Sequence, residues 1–179
     1  FTPTTEVDLC GHATIAAHAH LHSDGVIAAG EHTLETNVGV VDIRVETDGR
    51  VWMTQAEPEV RTVEVPVDSV AEALGIDPEA FDVDGLPFAF ASTGLPFLVA
   101  PVRLLSDLGD ATPDMGAVED LADAVDAVGV YAFTFDTLDG AATLHGRMWA
   151  PGAGVPEDPV TGTASGAVGA YLRRFEAFD

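Results

Sequence analysis

The two ends of this 179-residue chain carry the same short pattern, and this internal repeat constrains the fold more than any other feature. In each copy an aromatic residue and a proline loop precede a glycine that opens a run of small residues. Pro3 and Pro151 are 148 positions apart, whereas Gly11 and Gly162 are 151 apart, so the second copy contains a three-residue insertion, Glu157–Pro159. Each copy predicts the end of a strand, a proline loop and a helix that opens at the glycine.

Each copy places a group that can move protons beside its glycine. His12 directly follows Gly11, and Asp158 lies shortly before Gly162. The unpaired N–H groups and the dipole at a helix N-terminus attract carboxylates and phosphates, so two such helices could bind a small acid. A histidine and a carboxylate are common partners for proton transfer near neutral pH. On these residues alone, ordinary helix starts with a structural histidine and a turn aspartate remain an open alternative.

The pattern along the chain predicts a mixture of helices and strands. A helix of small residues is expected over 12–22, and a hairpin with its turn at Asp48–Gly49 is expected over 41–53. Pro58–Pro66 is expected to be a connector, and a capping box at Ser69–Glu72 is expected to open a short helix. The later elements are a buried strand at 96–105, a helix capped by Thr112 that ends at Gly129, strands at 130–135 and 143–149, and a final helix beginning near 161–165.

Charge and cysteine content exclude several classes of protein. The formal net charge is −23, and all seven basic residues are arginine, so nucleic acid is not expected as a partner. We interpret the acidic excess as salt adaptation of a cytoplasmic protein. The single Cys10 excludes an internal disulfide and a cysteine-rich zinc site. Prolines and a glycine interrupt the longest uncharged run, Leu86–Val102, so no membrane-spanning helix is expected, and no signal peptide is visible.

Three segments resemble the signatures of a known enzyme family. Leu9–Thr14 (LCGHAT) and Glu157–Ala164 (EDPVTGTA) are similar to the two signature segments of the phenazine-biosynthesis PhzF-like isomerases, which have the diaminopimelate epimerase-like fold. Ser92–Leu98 (STGLPFL) resembles a third segment of the same family. The resemblance extends over essentially the whole chain.

The resemblance implies an α+β protein with two pseudo-twofold-related lobes, 1–58 and 59–179, each a curled, barrel-like sheet around a central helix. It implies that a small substrate carrying a carboxylate binds in the cleft between the lobes. It also implies cofactor-independent proton transfer, with no metal, and a homodimer. His12 and Asp158 match catalytic positions of the family, and Gly11, Gly162 and Thr163 match substrate-binding positions.

The resemblance also indicates what the given sequence lacks. The main proton-transferring residue of the family is a glutamate upstream of the Gly-His pair, and further strands follow the final helix. We therefore expect the chain to be the middle part of a longer protein, with both lobes incomplete.

Three alternatives stay open at this point. Amino-acid epimerases of the same fold use two cysteines, one from each lobe, but here Thr161 occupies the position that repeats Cys10. A metal could bind His18, His20 and His22, of which the first and last are one helical turn apart. A non-catalytic small-molecule-binding protein would keep the cleft without turnover.

Overall fold

The computed structural model describes residues 9–37 and 39–178. Contacts within the chain divide it into two compact units, Phe1–Ala56 and Glu57–Asp179. The prediction of an α+β protein is confirmed, because both units combine antiparallel strands with helices.

The described residues of the first unit, 9–37 and 39–56, form one helix and a three-stranded antiparallel sheet. Its elements are α1 (Gly11–Ser23), β1 (Gly30–Thr36), β2 (Gly39–Val45) and β3 (Val51–Met53), in the sheet order β1-β2-β3. Val41, Ile43 and Val45 alternate along β2 and form the buried core, as the hairpin pattern predicted. Among the described residues of α1, only Thr14 is fully buried, because the helix has no apolar stripe. Strand β1 was not predicted.

The second unit contains a six-stranded sheet with helices on both faces. Its strands are β4 (Glu59–Thr62), β5 (Ala89–Ser92), β6 (Pro96–Pro101), β7 (Gly129–Thr134), β8 (His145–Ala150) and β9 (Val155–Asp158), in that spatial order. Its helices are α2 (Val67–Leu74), α3 (Leu105–Gly109), α4 (Met115–Asp123) and α5 (Gly162–Arg174). Short 3-10 turns cover Pro78–Phe81 and Pro151–Ala153. Neither sheet closes into a barrel within the described residues, so barrel-like lobes stay a prediction.

Two hydrophobic cores lie on opposite faces of the six-stranded sheet. Strand β7 is buried along its whole length, and its side chains alternate between the two cores. Leu98 and Val130 face the core that contains α2 and α4, whereas Val99 and Tyr131 face the core that contains α5. Strands β6 and β7 are parallel, and α3 and α4 form the connection between them. The buried side chains of α5 therefore pack against one face of the six-stranded sheet.

Three local predictions in this unit were wrong. The expected connector 58–66 contains β4, which pairs with β5 through Arg61 and Phe90 among others. Helix α2 begins directly after Pro66 without a side-chain cap, so the predicted capping box does not form. Asp114 caps α4 through the amides of Gly116 and Ala117, in place of Thr112.

Thr112 has a different neighbour, the glycine that ends α2. Gly75 adopts a left-handed conformation with φ of 64°. A Cβ atom at this position would lie 2.5 Å from the Thr112 hydroxyl oxygen. The position therefore requires glycine both for its backbone conformation and for the close approach of Thr112.

Candidate functional site

The first copy of the repeat places Cys10 and His12 together at the start of α1. Cys10 occupies the N-cap position and makes no side-chain hydrogen bond to the helix. Its Sγ atom lies 3.6 Å from Nε2 and 3.8 Å from Nδ1 of His12, whose side chain is exposed in the first helical turn. Gly11, the first helical residue, lies between them. The Cys10 thiol and the His12 imidazole therefore lie next to each other at the start of α1.

The second copy places Asp158 at the start of α5. Asp158 ends β9, and its half-buried carboxylate accepts hydrogen bonds from the Val160 amide at 3.0 Å and from the Thr161 hydroxyl at 2.7 Å. Thr161 is the N-cap residue, yet it makes no side-chain hydrogen bond to the helix. Gly162 is the first helical residue, so Asp158 is tied to the turn that opens α5.

The two helix starts therefore have the same construction. Helices α1 and α5 are both 13 residues long, both begin at the glycine of the repeat, and neither N-cap side chain bonds to its helix. A helix N-terminus carries a partial positive charge, which favours a bound anion. His12 belongs to the first compact unit and Asp158 to the second. Each lies beside the glycine at which its helix begins.

The third signature segment contacts the start of α5. The Thr93 hydroxyl donates a hydrogen bond to the Thr163 carbonyl oxygen at 3.4 Å, and the Gly94 amide donates to the Ser92 hydroxyl at 3.1 Å. Thr93 and Gly94 lie in the turn between β5 and β6. The structure thus brings segment 92–98 together with Thr163, a predicted substrate-binding residue.

A strong ion pair beside Asp158 was missed by the sequence analysis. The Arg147 guanidinium binds the Glu157 carboxylate through two contacts, Nε–Oε1 at 2.7 Å and Nη2–Oε2 at 3.0 Å. Its Nη1 also donates to the carbonyl oxygens of Leu108 at 2.9 Å and Ala111 at 3.3 Å. The hydrogen bonds from Arg147 hold the pKa of Glu157 below its usual value. Strand β9 is thereby joined to β8 and to the end of α3.

The sequence gives little warning of this pair. Arg147 and Glu157 lie ten residues apart on two strands, and β9 itself was not predicted. The one signal for the ion pair was Arg147 itself, a charged residue in a largely apolar strand. A half-buried arginine requires hydrogen-bond acceptors for its guanidinium.

Buried Tyr131 lies beneath the first turns of α5. Burial raises the pKa of its phenol, and a hydrogen bond with the Ser165 side chain opposes that rise in part. Any Cβ at Gly146 would overlap the Tyr131 hydroxyl, so the neighbouring strand must carry glycine there. The pattern at 130–135 predicted the strand that carries Tyr131, but it did not predict which helix the Tyr131 hydroxyl meets.

Three of the four histidines of α1, His18, His20 and His22, contact separate nearby groups. The His18 ring donates to the Thr14 carbonyl oxygen at 2.8 Å, and the His22 ring donates to the Ile27 carbonyl oxygen at 3.3 Å. His20 lies 3.5 Å from the Asp24 carboxylate on the exposed side of the helix. Among residues 9–37 and 39–178, no three His, Cys, Asp or Glu side chains are grouped so that they could hold a metal ion.

Comparison with known proteins gives a clear family relationship. The model of the phenazine biosynthesis-like protein family, PhzC-PhzF, matches residues 1–178. The chain belongs to this family. The resemblance predicted from the signature segments is therefore confirmed.

Several PhzF-family relatives carry the name isomerase. The uncharacterized isomerase YfhB of Bacillus subtilis is 37% identical over 180 residues, which covers 98% of this chain and 61% of that protein. An uncharacterized isomerase of Deinococcus radiodurans is 39% identical over 178 residues, which covers 96% of this chain and 56% of that protein. The chain thus spans about three fifths of the length of these relatives.

Solved structures agree with this relationship. The crystal structure of the Bacillus anthracis phenazine biosynthesis protein of the PhzF family has a TM-score of 0.85 at 32% identity, covering 96% of this chain and 59% of that one. A hydroxyproline epimerase from Agrobacterium vitis has a TM-score of 0.55 at 18% identity, covering 99% and 55% of the two chains. The second likeness shows a shared fold alone. None of the helices in the described part of the chain is both long and apolar enough to span a membrane.

Proposed function

We propose that the protein catalyses a cofactor-independent isomerisation of a small cyclic carboxylic acid. In this reaction a C–H bond next to the carboxylate breaks, and its electron pair forms a new double bond to the neighbouring carbon. The π electrons of the double bond that already joins this neighbouring carbon to the next one bind the released proton there. A new C–H bond thus forms at a more distant carbon of the same molecule, and the old double bond is lost. Membership of the PhzF family and the isomerase names of the relatives support this class of reaction.

The observation that carries the proposal is the common construction of the two helix starts. Each begins at a glycine after an N-cap side chain that does not cap the helix, and each has one acid–base group beside it. We assign His12 and Asp158 to positioning the substrate and assisting the proton transfer. We assign Gly11, Gly162 and Thr163 to binding the substrate carboxylate, which the helix N-termini favour electrostatically.

The proposal assigns one acid–base group to each unit, His12 to the first and Asp158 to the second. The family resemblance assigns the main proton transfer to a glutamate upstream of the Gly-His pair. His12 and Asp158 would then orient the substrate and stabilise the charge that develops on its carboxylate as the proton leaves. Loss of either group is expected to slow the reaction without abolishing the fold.

A second candidate function is epimerisation of an amino acid. The contact between the Cys10 thiol and the His12 ring at 3.6 Å favours it, because a neighbouring imidazole can accept the proton of a thiol. A two-thiol mechanism needs a second cysteine, whereas the repeated position is Thr161, and Cys10 is the single cysteine of the chain. We therefore place epimerisation second.

The test uses the protein as its gene encodes it, incubated in D2O with a small panel of acids. Cyclohexa-2,5-diene-1-carboxylate represents an acid whose proton can move between carbons, and trans-4-hydroxy-L-proline represents an epimerase substrate. Proton NMR follows loss of the original C–H signal, and ultraviolet absorption follows formation of a conjugated diene. We expect the diene acid to isomerise and hydroxyproline to stay unchanged. Exchange of hydroxyproline alone would favour the epimerase, and no exchange in either acid would contradict the proposal.

A further inference from the structure

The Asp158 carboxylate is held by two local donors, one on each oxygen. Oδ1 accepts from the Val160 amide at 3.0 Å, and Oδ2 accepts from the Thr161 hydroxyl at 2.7 Å. A carboxylate oxygen has two lone pairs, so each oxygen keeps acceptor capacity for another partner. Pro159 lies between these residues and restricts the backbone on both sides. The Asp158 carboxylate is therefore held in one orientation and can still accept further hydrogen bonds.

The Thr161 hydroxyl does not make the hydrogen bond that is usual for its position. A threonine at the N-cap ordinarily accepts a hydrogen bond from an amide in the first turn of the helix, and this bond stabilises the helix. No such bond is made by the Thr161 side chain. Its hydroxyl proton points to Asp158, and its side chain therefore serves the carboxylate.

Thr161 is itself anchored to α5. Its carbonyl oxygen accepts from the Ser165 amide at 3.0 Å and from the Ser165 hydroxyl at 3.1 Å. The backbone of Thr161 thus moves with the first turn of the helix, and the hydroxyl transmits that fixed position to Asp158. The Asp158 carboxylate at the end of β9 is thereby tied to the start of α5.

We propose that Thr161 is a positioning residue, whose hydroxyl holds the Asp158 carboxylate in the direction needed for the reaction. This inference rests on the proposed function, because it assigns no role to Thr161 unless Asp158 acts on the substrate. Thr161→Val removes the donor and keeps the shape of the side chain. Thr161→Ser keeps the donor, and Thr161→Ala provides a second donor-free variant in case the valine does not fold.

The experiment combines two measurements on the gene-encoded protein. Turnover of cyclohexa-2,5-diene-1-carboxylate gives kcat and KM, and NMR hydrogen exchange of the Val160 amide reports whether Asp158 still accepts from it. In Thr161→Val we expect kcat to fall by about 10- to 100-fold with KM little changed, since a catalytic group displaced by about 1 Å can lose that much rate. We also expect faster exchange at Val160, and recovery of both readouts in Thr161→Ser.

Matched variants separate this inference from the proposed function. Thr137→Val removes a threonine hydroxyl that donates to the Asp139 carbonyl oxygen at 3.0 Å in the β7–β8 loop, and it should change neither readout. Wild-type kcat or wild-type Val160 exchange in Thr161→Val, with Asp158→Ala inactive, would overturn the positioning role and leave the proposed function standing. Full activity in Asp158→Ala would overturn both.

Discussion

Thr161 donates its hydroxyl to Oδ2 of Asp158 over 2.7 Å, although it occupies a position from which threonine ordinarily caps a helix. The repeated position in the first copy behaves similarly, because the Cys10 thiol lies 3.6 Å from the His12 ring and does not cap α1. In both copies the N-cap side chain contacts the candidate acid–base residue. The two copies of the repeat therefore share this contact as well as a helix that begins at a glycine.

Replacement of Cys10 distinguishes the two candidate reactions. General acid–base groups contribute about 100- to 10,000-fold to a rate, so a thiol that takes no part in the proton transfer should matter much less. We expect Cys10→Ala to lower kcat/KM by less than about tenfold. Iodoacetamide treatment of the wild-type protein provides an independent check. A loss of about 100-fold or more in both experiments would support epimerisation by a thiol.

Replacement of Glu157 should change how stability depends on acid. Hydrogen bonds from Arg147 lower the pKa of Glu157, so the ionised carboxylate stabilises the folded state above the usual glutamate pKa near 4.5. That stability is lost as the pH falls through the lowered pKa of the folded state. We expect the unfolding free energy of Glu157→Gln, measured with urea between pH 7 and pH 3, to fall less steeply than that of wild type.

Glu59→Gln is the matched control for this measurement. Glu59 lies 4.0 Å from Arg61, and both side chains are largely exposed, so the pair adds little to stability. Its acid profile should follow the wild type. Identical slopes for Glu157→Gln and wild type would contradict the role assigned to the Arg147 pair.

Buried Tyr171 should limit stability in alkali. Its hydroxyl donates to the Pro87 carbonyl oxygen at 2.8 Å, and burial raises its pKa well above the usual value of 10. Because the raised pKa belongs to the folded state, this contribution is complete below pH 10 and decreases as the pH rises further. Tyr171→Phe should be about 1 kcal/mol less stable at pH 7 and lose less stability between pH 9 and pH 11. An unchanged alkaline slope would refute this account.

The large negative charge predicts a strong response to salt. A formal net charge of −23 opposes compaction, and the Debye length shortens from about 10 Å at 0.1 M salt to about 3 Å at 1 M. We expect the thermal midpoint to rise steadily with KCl over this range. A midpoint that is constant or falls would contradict the interpretation of salt adaptation.

Much of the fold could be predicted because its elements have strong local patterns. The alternation of Val41, Ile43 and Val45 specified β2, and the apolar run before Asp136 specified β7. Strands β4 and β9 lack such a pattern, since they are short edge strands with mostly exposed side chains. Strand β4 pairs with β5, which follows α2, and β9 pairs with the preceding strand β8. Periodicity along one segment reports neither pairing.

The candidate site was predictable to a different extent. The repeat identified Gly11 and Gly162 as helix starts, and it located His12 and Asp158 beside them. The bonds that fix Asp158 were not predictable, because a threonine at an N-cap is expected to bond to its own helix. Whether the Thr161 hydroxyl turns to the helix or to the carboxylate depends on the conformation of the loop.

Kinetic comparison of His12→Ala and Asp158→Ala with wild type, on an acid that the gene-encoded protein isomerises, tests the central claim most directly. Both residues lie at helix starts, and Thr137→Val again serves as the control with an unchanged rate. The account predicts that each alanine variant folds with a thermal midpoint near wild type and loses at least about 100-fold in kcat/KM. Turnover at the wild-type rate in both variants would contradict it.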